Sequence, residues 1–561
     1  MALARLQSQH SQAQRAVVQE LNNLQQRGWA FGIKQHWIAN IVEARVFAGE
    51  LATLAARSDI DIIYQQPVLT TIVPDAQRGS TSLSTSVGAN LQFVNADQAW
   101  AAGFTGAGRL VCSFDTGIDG VHPALAGSWK GNDGDSSAAW FDPVGMQTFP
   151  HTLSGPSVNH GTHVMGTMVG RDTATGDTVG IAPGAMWISA AVIDIQGSSI
   201  IDAFEWVADP DGDPNSVDDL PDVINHSWGV RDIGCSNAFY DLIDNIEALG
   251  IVNVFASGNE GPAASTIRNP SNRANTNIDC FAVGNVNSSS TPPPLSSNSS
   301  RGPSDCNGAI KPNVTAPGTS IRSSIPGNGY GFMSGTSMSS PHVSGLVALL
   351  RQKNPNATVD EVKTAILNST QTYGLTLPDN NYGYGVIDCM AALNALSAVN
   401  AQPNVRVYGF DHAVIAAGDT VQGTVVLQNR GAAVSSVSGT ISSSDPSLTV
   451  LNGSAFFGNM AEGDTLRSND IVSVIVSDTV TDGSILSLDF AITGSPAYSA
   501  TAKLLFLVEP RSVRSFVSHQ ANRISTTVSS FGTYGLGTNS FFPAGGLGFQ
   551  FDGGANDLYE C

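Results

Sequence analysis

Between residues 90 and 398 the chain alternates short, unbroken apolar runs with helical patterns, and this alternation restricts the fold more than any other feature. The runs RLVCSF, MWISAAVI, DVIN, IVNVFA and CFAVGNV lack the every-second-residue polarity of a half-exposed strand. They read as strands buried on both faces. The helical stretches between them, such as SIIDAFEWVA and FYDLIDNIEALG, supply the crossovers that parallel neighbours need. An α/β fold with a parallel sheet flanked by helices is expected here.

At 561 residues the chain exceeds what one hydrophobic core serves, so further units are expected around that sheet. Residues 1–75 read as a small α/β unit, with a helix pattern from Leu6 to Gln26 followed by WAFGIK, WIANIVEARV, AGELATLAARS and IDIIYQQPVLTTIV. Residues 76–89 fall in a Ser/Thr/Gly-rich stretch and read as an exposed linker. The helical patterns stop after Asn400. VRVYGF, TVQGTVVLQNRG, SLTVLNG and SLDFAI are strand-like runs between Gly, Asn and Asp turns, which predicts a β-sandwich over 401–510. Residues 511–561 read as the start of a further β-rich unit that is cut short.

The balance of 26 basic against 47 acidic residues, a net charge of −21, opposes any surface that tracks phosphates, so no nucleic acid partner is expected. No apolar run approaches the roughly 18 residues of a membrane span. The first residues, MALARLQSQHSQAQRAVV, lack the apolar core of a signal peptide. Taken alone, that reads as a cytoplasmic chain. Cys112 and Cys389 lie in apolar runs and read as buried thiols, whereas a bridge among Cys235, Cys280 and Cys306 is left open.

The stretch GFMSGTSMSSPHVSGLVALL places Ser337 where a glycine-flanked loop enters a helix. Val343, Leu346, Val347 and Leu350 recur at i, i+3, i+4 and i+7, the spacing of one buried helix face, and Pro341 is expected in the first turn. A serine there sits beside free backbone N–H groups and the positive end of the helix dipole. Asp115 ends the run RLVCSF, at the carboxyl edge of a parallel strand, where such sheets build sites. His160 opens the pattern HGTHVMGTMVG. Together these supply a hydroxyl to attack, an imidazole to take its proton and a carboxylate to orient the imidazole. Asn259, in the glycine-flanked turn of VFASGNEGP, is a candidate amide donor to an oxyanion. His163 and His342 read as structural.

The segments SFDTGID, NHGTHVMGTMVG, INHSWG, FASGNEGP and SGTSMSSPHVSG, in this order, resemble the signature segments of the subtilisin-like serine proteases, the subtilases, and most of all their bacillopeptidase F-like members. The resemblance spans residues 90–398. It implies catalysis by Asp115, His160 and Ser337, with Asn259 as oxyanion donor, on protein or peptide substrates and with no cofactor for the chemistry. It further implies that Ser227, Trp228 and Gly229 pair with substrate backbone and form one wall of the pocket for the P1 side chain. Ala256, Ser257 and Gly258 would form the opposite wall. Met338 matches the family's oxidation-sensitive methionine. His226 departs from the methionine of many relatives, and Arg268 falls near the expected pocket floor, so the P1 preference is not inherited.

By the same resemblance, residues 1–75 look like the inhibitory propeptide, with its first strand missing. The chain is then expected to be secreted, to be inhibited by its own N-terminal unit, and to cut itself between Asp75 and Val94. The competing class is an inactive scaffold that binds through its sandwich. The acid-acting sedolisins, which replace the histidine with Glu, do not fit His160. Five aspartates crowd the loop DPDGDPNSVDD, and a structural calcium held by Asp209, Asp211 and Asp213 is expected there.

Overall fold

The computed structural model describes residues 2–65, 69–76, 87–153, 157–195, 200–213, 219–231 and 234–397, most of 403–508, and four strands between 516 and 542. The chain divides into two compact units, residues 1–399 and 400–561.

In the first unit, helix α1 (Ala2–Gln26) packs over the antiparallel pair β1 (Ala30–His36) and β2 (Ile41–Val46). Leu21, Leu24, Ala30 and Leu54 form its small core. The turn after β1 docks on the rest of the unit through backbone groups. Glu205 Oε1 accepts the N–H of Trp37, and Asn245 Nδ2 donates to Ile38 O at 2.6 Å.

A short strand β3 (Asp75–Ala76) precedes the main sheet, which contains β4 (Leu110–Asp115), β5 (Trp140–Phe141), β6 (Met186–Ala191), β7 (Val223–His226), β8 (Val252–Ala256), β9 (Phe281–Val286) and β10 (Val314–Pro317). Their spatial order is β10-β9-β8-β7-β4-β6-β5, and every pairing is parallel. Every residue of β4, β8 and β9 is buried, which explains why these runs show no alternation. Because β4 lies between β6 and β7, the chain turns to opposite sides around it, and a crevice opens at its carboxyl end. Asp115 is the last residue of β4.

Helix α2 (His160–Val169) follows β5, α3 (Ile200–Ala208) follows β6, and α4 (Tyr240–Ala248) follows β7. Two antiparallel strands, β11 (Ile321–Ile325) and β12 (Gly329–Ser334), then lead into the long helix α5 (Thr336–Lys353). The apolar spacing predicts one buried face for α5. Instead the helix is buried all round from Thr336 to Arg351, because its remaining positions carry small residues such as Ser344 and Gly345. Pro341 also lies deeper than the first turn.

Between Val405 and Leu507 the second unit contains two antiparallel sheets. Strands Val405–His412, Thr420–Asn429, Val472–Val476, Leu448–Asn452 and Thr465–Arg467 form one, and Ser454–Met460, Val434–Ser442, Ile485–Ser495 and Tyr498–Leu507 form the other. Both contribute to one core that includes Val425, Leu427, Val474, Phe457, Leu488 and Phe490. Here burial does alternate along Thr420–Asn429, as expected for a sheet with one wet face. Four further strands between Phe516 and Phe542 form an antiparallel sheet. Among the described residues no helix is long and apolar enough to cross a membrane.

Candidate active site

Asp115 and His160 meet because the amino end of α2 lands on the carboxyl end of β4. His160 Nδ1 donates to Asp115 Oδ1 at 2.7 Å, and the same oxygen accepts the Thr116 N–H at 2.7 Å. Gly161 permits this approach, since a methyl group there would collide with Gly117 O and lie 3.1 Å from Asp115 Oδ1. The contact fixes the tautomer. With Nδ1 protonated, neutral His160 presents an acceptor at Nε2, which is buried and has no hydrogen-bond partner.

Ser337 lies in the first turn of α5, fully buried. Its hydroxyl donates to Ile72 O at 3.0 Å, so a segment of the chain itself lies across Ser337. Pro341 lacks the N–H that would otherwise bond Ser337 O four residues back. That carbonyl instead accepts Ser227 Oγ at 3.2 Å, which ties this turn to the end of β7.

Asn259 sits in the turn after β8. Its Oδ1 accepts both the N–H (2.9 Å) and the Oγ1–H (3.1 Å) of Thr336. Both donors face Oδ1, so the amide nitrogen must face the cleft, where it donates to Val73 O at 2.9 Å. Thr336 escaped the sequence reading, because its partner stands 77 positions away.

Residues within 227–229 and 256–258 also make contacts here. Ile72 N–H reaches Ser227 O at 3.4 Å, and Thr71 bridges Trp228 in antiparallel fashion. Residues Asp75 and Ala76 pair with Ser334 and Met333 of β12. Residues 69–76 thus run along the site, bridged to it at Thr71 and at Asp75–Ala76. Ser257 pairs with β9 through Val283 O, and Gly258 N–H donates to Thr336 Oγ1 at 3.2 Å. Ala256 ends β8 and is buried. Met338, next in the helix, is fully buried.

Three other histidines are structural. Burial lowers His163 to about 3 and His342 to about 4, and each is bonded to a backbone carbonyl, Ile321 O at 3.0 Å and Met338 O at 2.8 Å respectively. Burial likewise lowers His226 to about 3. His226 is stacked on Phe255 with centroids 4.4 Å apart, donates from Nε2 to Asn253 Oδ1 and accepts Trp228 Nε1–H at Nδ1, so it braces Trp228.

In the acidic loop Asp209, Asp211 and Asp219 bring carboxylate oxygens within 4.8 Å of one another. Asp213 falls outside that group, and its N–H donates to Asp211 Oδ1 at 2.8 Å. Burial, then Asp211 and Asp219, raise Asp209 to about 6, and its Oδ1 is buried without a hydrogen-bond partner. Hard oxygens in this arrangement fit a calcium ion. Asp218 lies outside the described residues. The bridge left open by the sequence is Cys235–Cys306, while Cys112, Cys280 and Cys389 are buried thiols.

The model of the subtilase family matches residues 106–385, from just before β4 to beyond α5. Subtilisin E of Bacillus subtilis is 35% identical over 314 residues, which cover 55% of this chain and 71% of that protein. The chain belongs to the subtilase family. Bacillopeptidase F of Bacillus subtilis is 31% identical over 439 residues, 71% of this chain but 29% of that much longer protein. An alkaline protease of Alkalihalobacillus alcalophilus is 31% identical over 338 residues, 60% of this chain and 76% of that protein. By family the chain is a subtilisin-like serine peptidase, a hydrolase whose relatives are endopeptidases and need no cofactor for catalysis.

Proposed function

We propose that the protein is a secreted serine endopeptidase that acts on proteins or peptides through an acyl-enzyme. Ser337 Oγ attacks the scissile carbonyl carbon while His160 Nε2 takes its proton, and the imidazolium then protonates the leaving nitrogen. Asp115 holds His160 in the tautomer that leaves Nε2 basic. Asn259 Nδ2 and the backbone N–H of Ser337 stabilise the oxyanion. Substrate adds as a strand beside Ser227, Trp228 and Gly229, with Ala256, Ser257 and Gly258 opposite. The observation that carries this reading is the 2.7 Å His160–Asp115 bond, which leaves Nε2 without a partner, together with the peptide segment whose Ile72 carbonyl meets Ser337 Oγ at 3.0 Å.

The N-terminal unit acts as an intramolecular inhibitor until it is cut away. Asp209, Asp211 and Asp219 would hold a calcium ion that supplies structural rather than chemical help. The test of the central claim is a fluorophosphonate probe, which should label Ser337 alone in wild type and nothing in Ser337→Ala. Labelling of another residue, or full peptidase activity in Ser337→Ala, would remove Ser337 from its role.

A further inference from the structure

The segment across the cleft carries information about what the site prefers. Two bonds in it lie near Ser337, Ile72–Val73 and Val73–Pro74. Ile72 is completely buried, its N–H reaches Ser227 O, and its carbonyl oxygen is the one 3.0 Å from Ser337 Oγ. Val73 is 69% exposed, so its side chain occupies no pocket. Asn259 Nδ2 rests on Val73 O, one carbonyl further on. A cut after Val73 would require His160 to deliver a proton to the Pro74 nitrogen, whose ring carbon crowds that approach. The pattern of burial matches the first bond. Leu69 and Ile72, three residues apart, are both buried, while Thr71 between them is held by Asp194 through its N–H at 3.0 Å and through its hydroxyl.

The floor of the pocket explains why an aliphatic side chain suits it. Arg268 is 5% exposed and runs beneath both walls. A methyl group added at Gly229 would lie 2.9 Å from Arg268 Cβ and 3.1 Å from Cδ, and one at Gly258 would lie 3.1 Å from Cγ. The stem therefore lies close to both glycines at once. Its guanidinium is spent: Nη1 donates to Gly229 O at 3.1 Å, while Nε and Nη2 donate to the two carboxylate oxygens of Glu260 at 3.0 and 2.7 Å. A second arginine, Arg231, also bonds Glu260. The Arg268 donors are thus directed to Gly229 O and Glu260 rather than toward a P1 side chain.

We propose that Arg268 makes the P1 pocket shallow and selects branched aliphatic side chains, and that the protein's first substrate is its own Ile72–Val73 bond, with Leu69 in the P4 position. This deepens the protease reading and rests on it. In that step the Ser337 Oγ bonds to the Ile72 carbonyl carbon, and its proton passes through His160 to the Val73 nitrogen as the C–N bond breaks. Water then hydrolyses the ester, leaving a carboxylate on Ile72 and a new amino terminus at Val73. The cut falls upstream of the expected interval, Asp75 to Val94.

The experiment has three readouts on the full chain. Mass mapping of wild type after activation should find Val73 as the new terminus, with Ser337→Ala intact. Wild type should hydrolyse the p-nitroanilide of Leu-Thr-Thr-Ile at least about tenfold better than that of Leu-Thr-Thr-Phe, the scale that a misfit of one or a few carbons produces in an apolar pocket. Arg268→Ala should reverse the order, whereas Arg268→Met, which keeps the stem, should retain it. A different terminus overturns the assigned bond, and a wild-type preference for Phe overturns the role of Arg268 even if Arg268→Ala does not fold. Both failures are separable from the protease reading, because fluorophosphonate labelling of Ser337 and casein hydrolysis would persist. Loss of those two would overturn the reading and the inference together.

Discussion

Thr336 holds Asn259 by two hydrogen bonds to one oxygen, from its backbone N–H at 2.9 Å and its hydroxyl at 3.1 Å. Thr336 immediately precedes Ser337, the proposed nucleophile, so one residue sets both the Asn259 amide and the start of the helix that carries Ser337. Asn259→Ala should lower kcat by roughly 10² to 10³ with KM little changed, since the amide matters most once the oxyanion forms. Thr336→Val keeps the backbone donor and loses only the hydroxyl. Its loss of kcat should be well below that of Asn259→Ala. Steady-state kinetics on one peptide substrate decides, and an unchanged kcat in Asn259→Ala would place the donor elsewhere.

Asp115→Asn tests the tautomer argument. An amide can offer its N–H to His160 Nδ1, which favours protonation at Nε2 and leaves that atom unable to accept the Ser337 proton. A fall in kcat on the order of 10⁴ is expected, with the fold retained. Circular dichroism with active-site titration separates this loss from unfolding. A fall under tenfold would show that Asp115 does not orient the base.

The parts of the site carried by local motifs were legible in the sequence, and the parts made by distant pairing were not. Asp115 could be placed because a strand end is a local pattern, and Ser337 because a glycine turn before a helix is one too. Thr336 acquires its meaning only when β8 brings Asn259 to it. The segment 69–76 reads as an ordinary strand of the N-terminal unit, and nothing local says that Ile72 will meet Ser337, 265 positions away. The all-round burial of α5 was hidden because small polar residues look solvent-facing. Ser344 is instead buried and donates to Asn225 Oδ1 at 3.0 Å.

His36 offers a pH test of how the N-terminal unit is held. It is 1% exposed at the end of β1 and faces Glu205 at Nδ1 (3.2 Å), Glu43 at Nε2 (3.3 Å) and Asp202 at 3.7 Å, while Lys34 pairs with Asp202 at 2.6 Å. Burial alone would lower its pKa, but the hydrogen bonds to Glu205 and Glu43 and the charges of Glu205 and Asp202 together outweigh burial and raise it to about 9. A histidine raised in the folded state contributes stability that is complete below its ordinary value near 6.5 and lost as pH climbs through about 9. In Ser337→Ala, which cannot digest itself, hydrogen exchange along β1 should therefore accelerate between pH 7 and 10 beyond the intrinsic chemical rate. His36→Asn should be faster at pH 7 and lack that added dependence. Equal pH profiles for the two proteins would show that the imidazolium holds nothing.

The acidic loop provides the last test, and the choice of residues matters. Asp209, Asp211 and Asp219 converge, and Asp211 N–H also donates to Asp219 Oδ2 at 3.1 Å, so the loop closes on itself before any ion is added. Asp213 was the third ligand expected from the sequence, where five aspartates crowd one loop. The chain instead brings Asp219 back to that position. A calcium ion that binds only the folded state adds about 2.7 kcal/mol at a hundredfold excess over Kd. EDTA should lower the Tm of Ser337→Ala protein by several degrees, and added calcium should restore it. Asp211→Ala and Asp219→Ala, each in the Ser337→Ala background, should abolish the calcium shift, and Asp213→Ala should keep most of it. Equal shifts in all three would place the ion outside this loop. A shift lost only with Asp213→Ala would restore the ligand set read from the sequence and remove Asp219 from it.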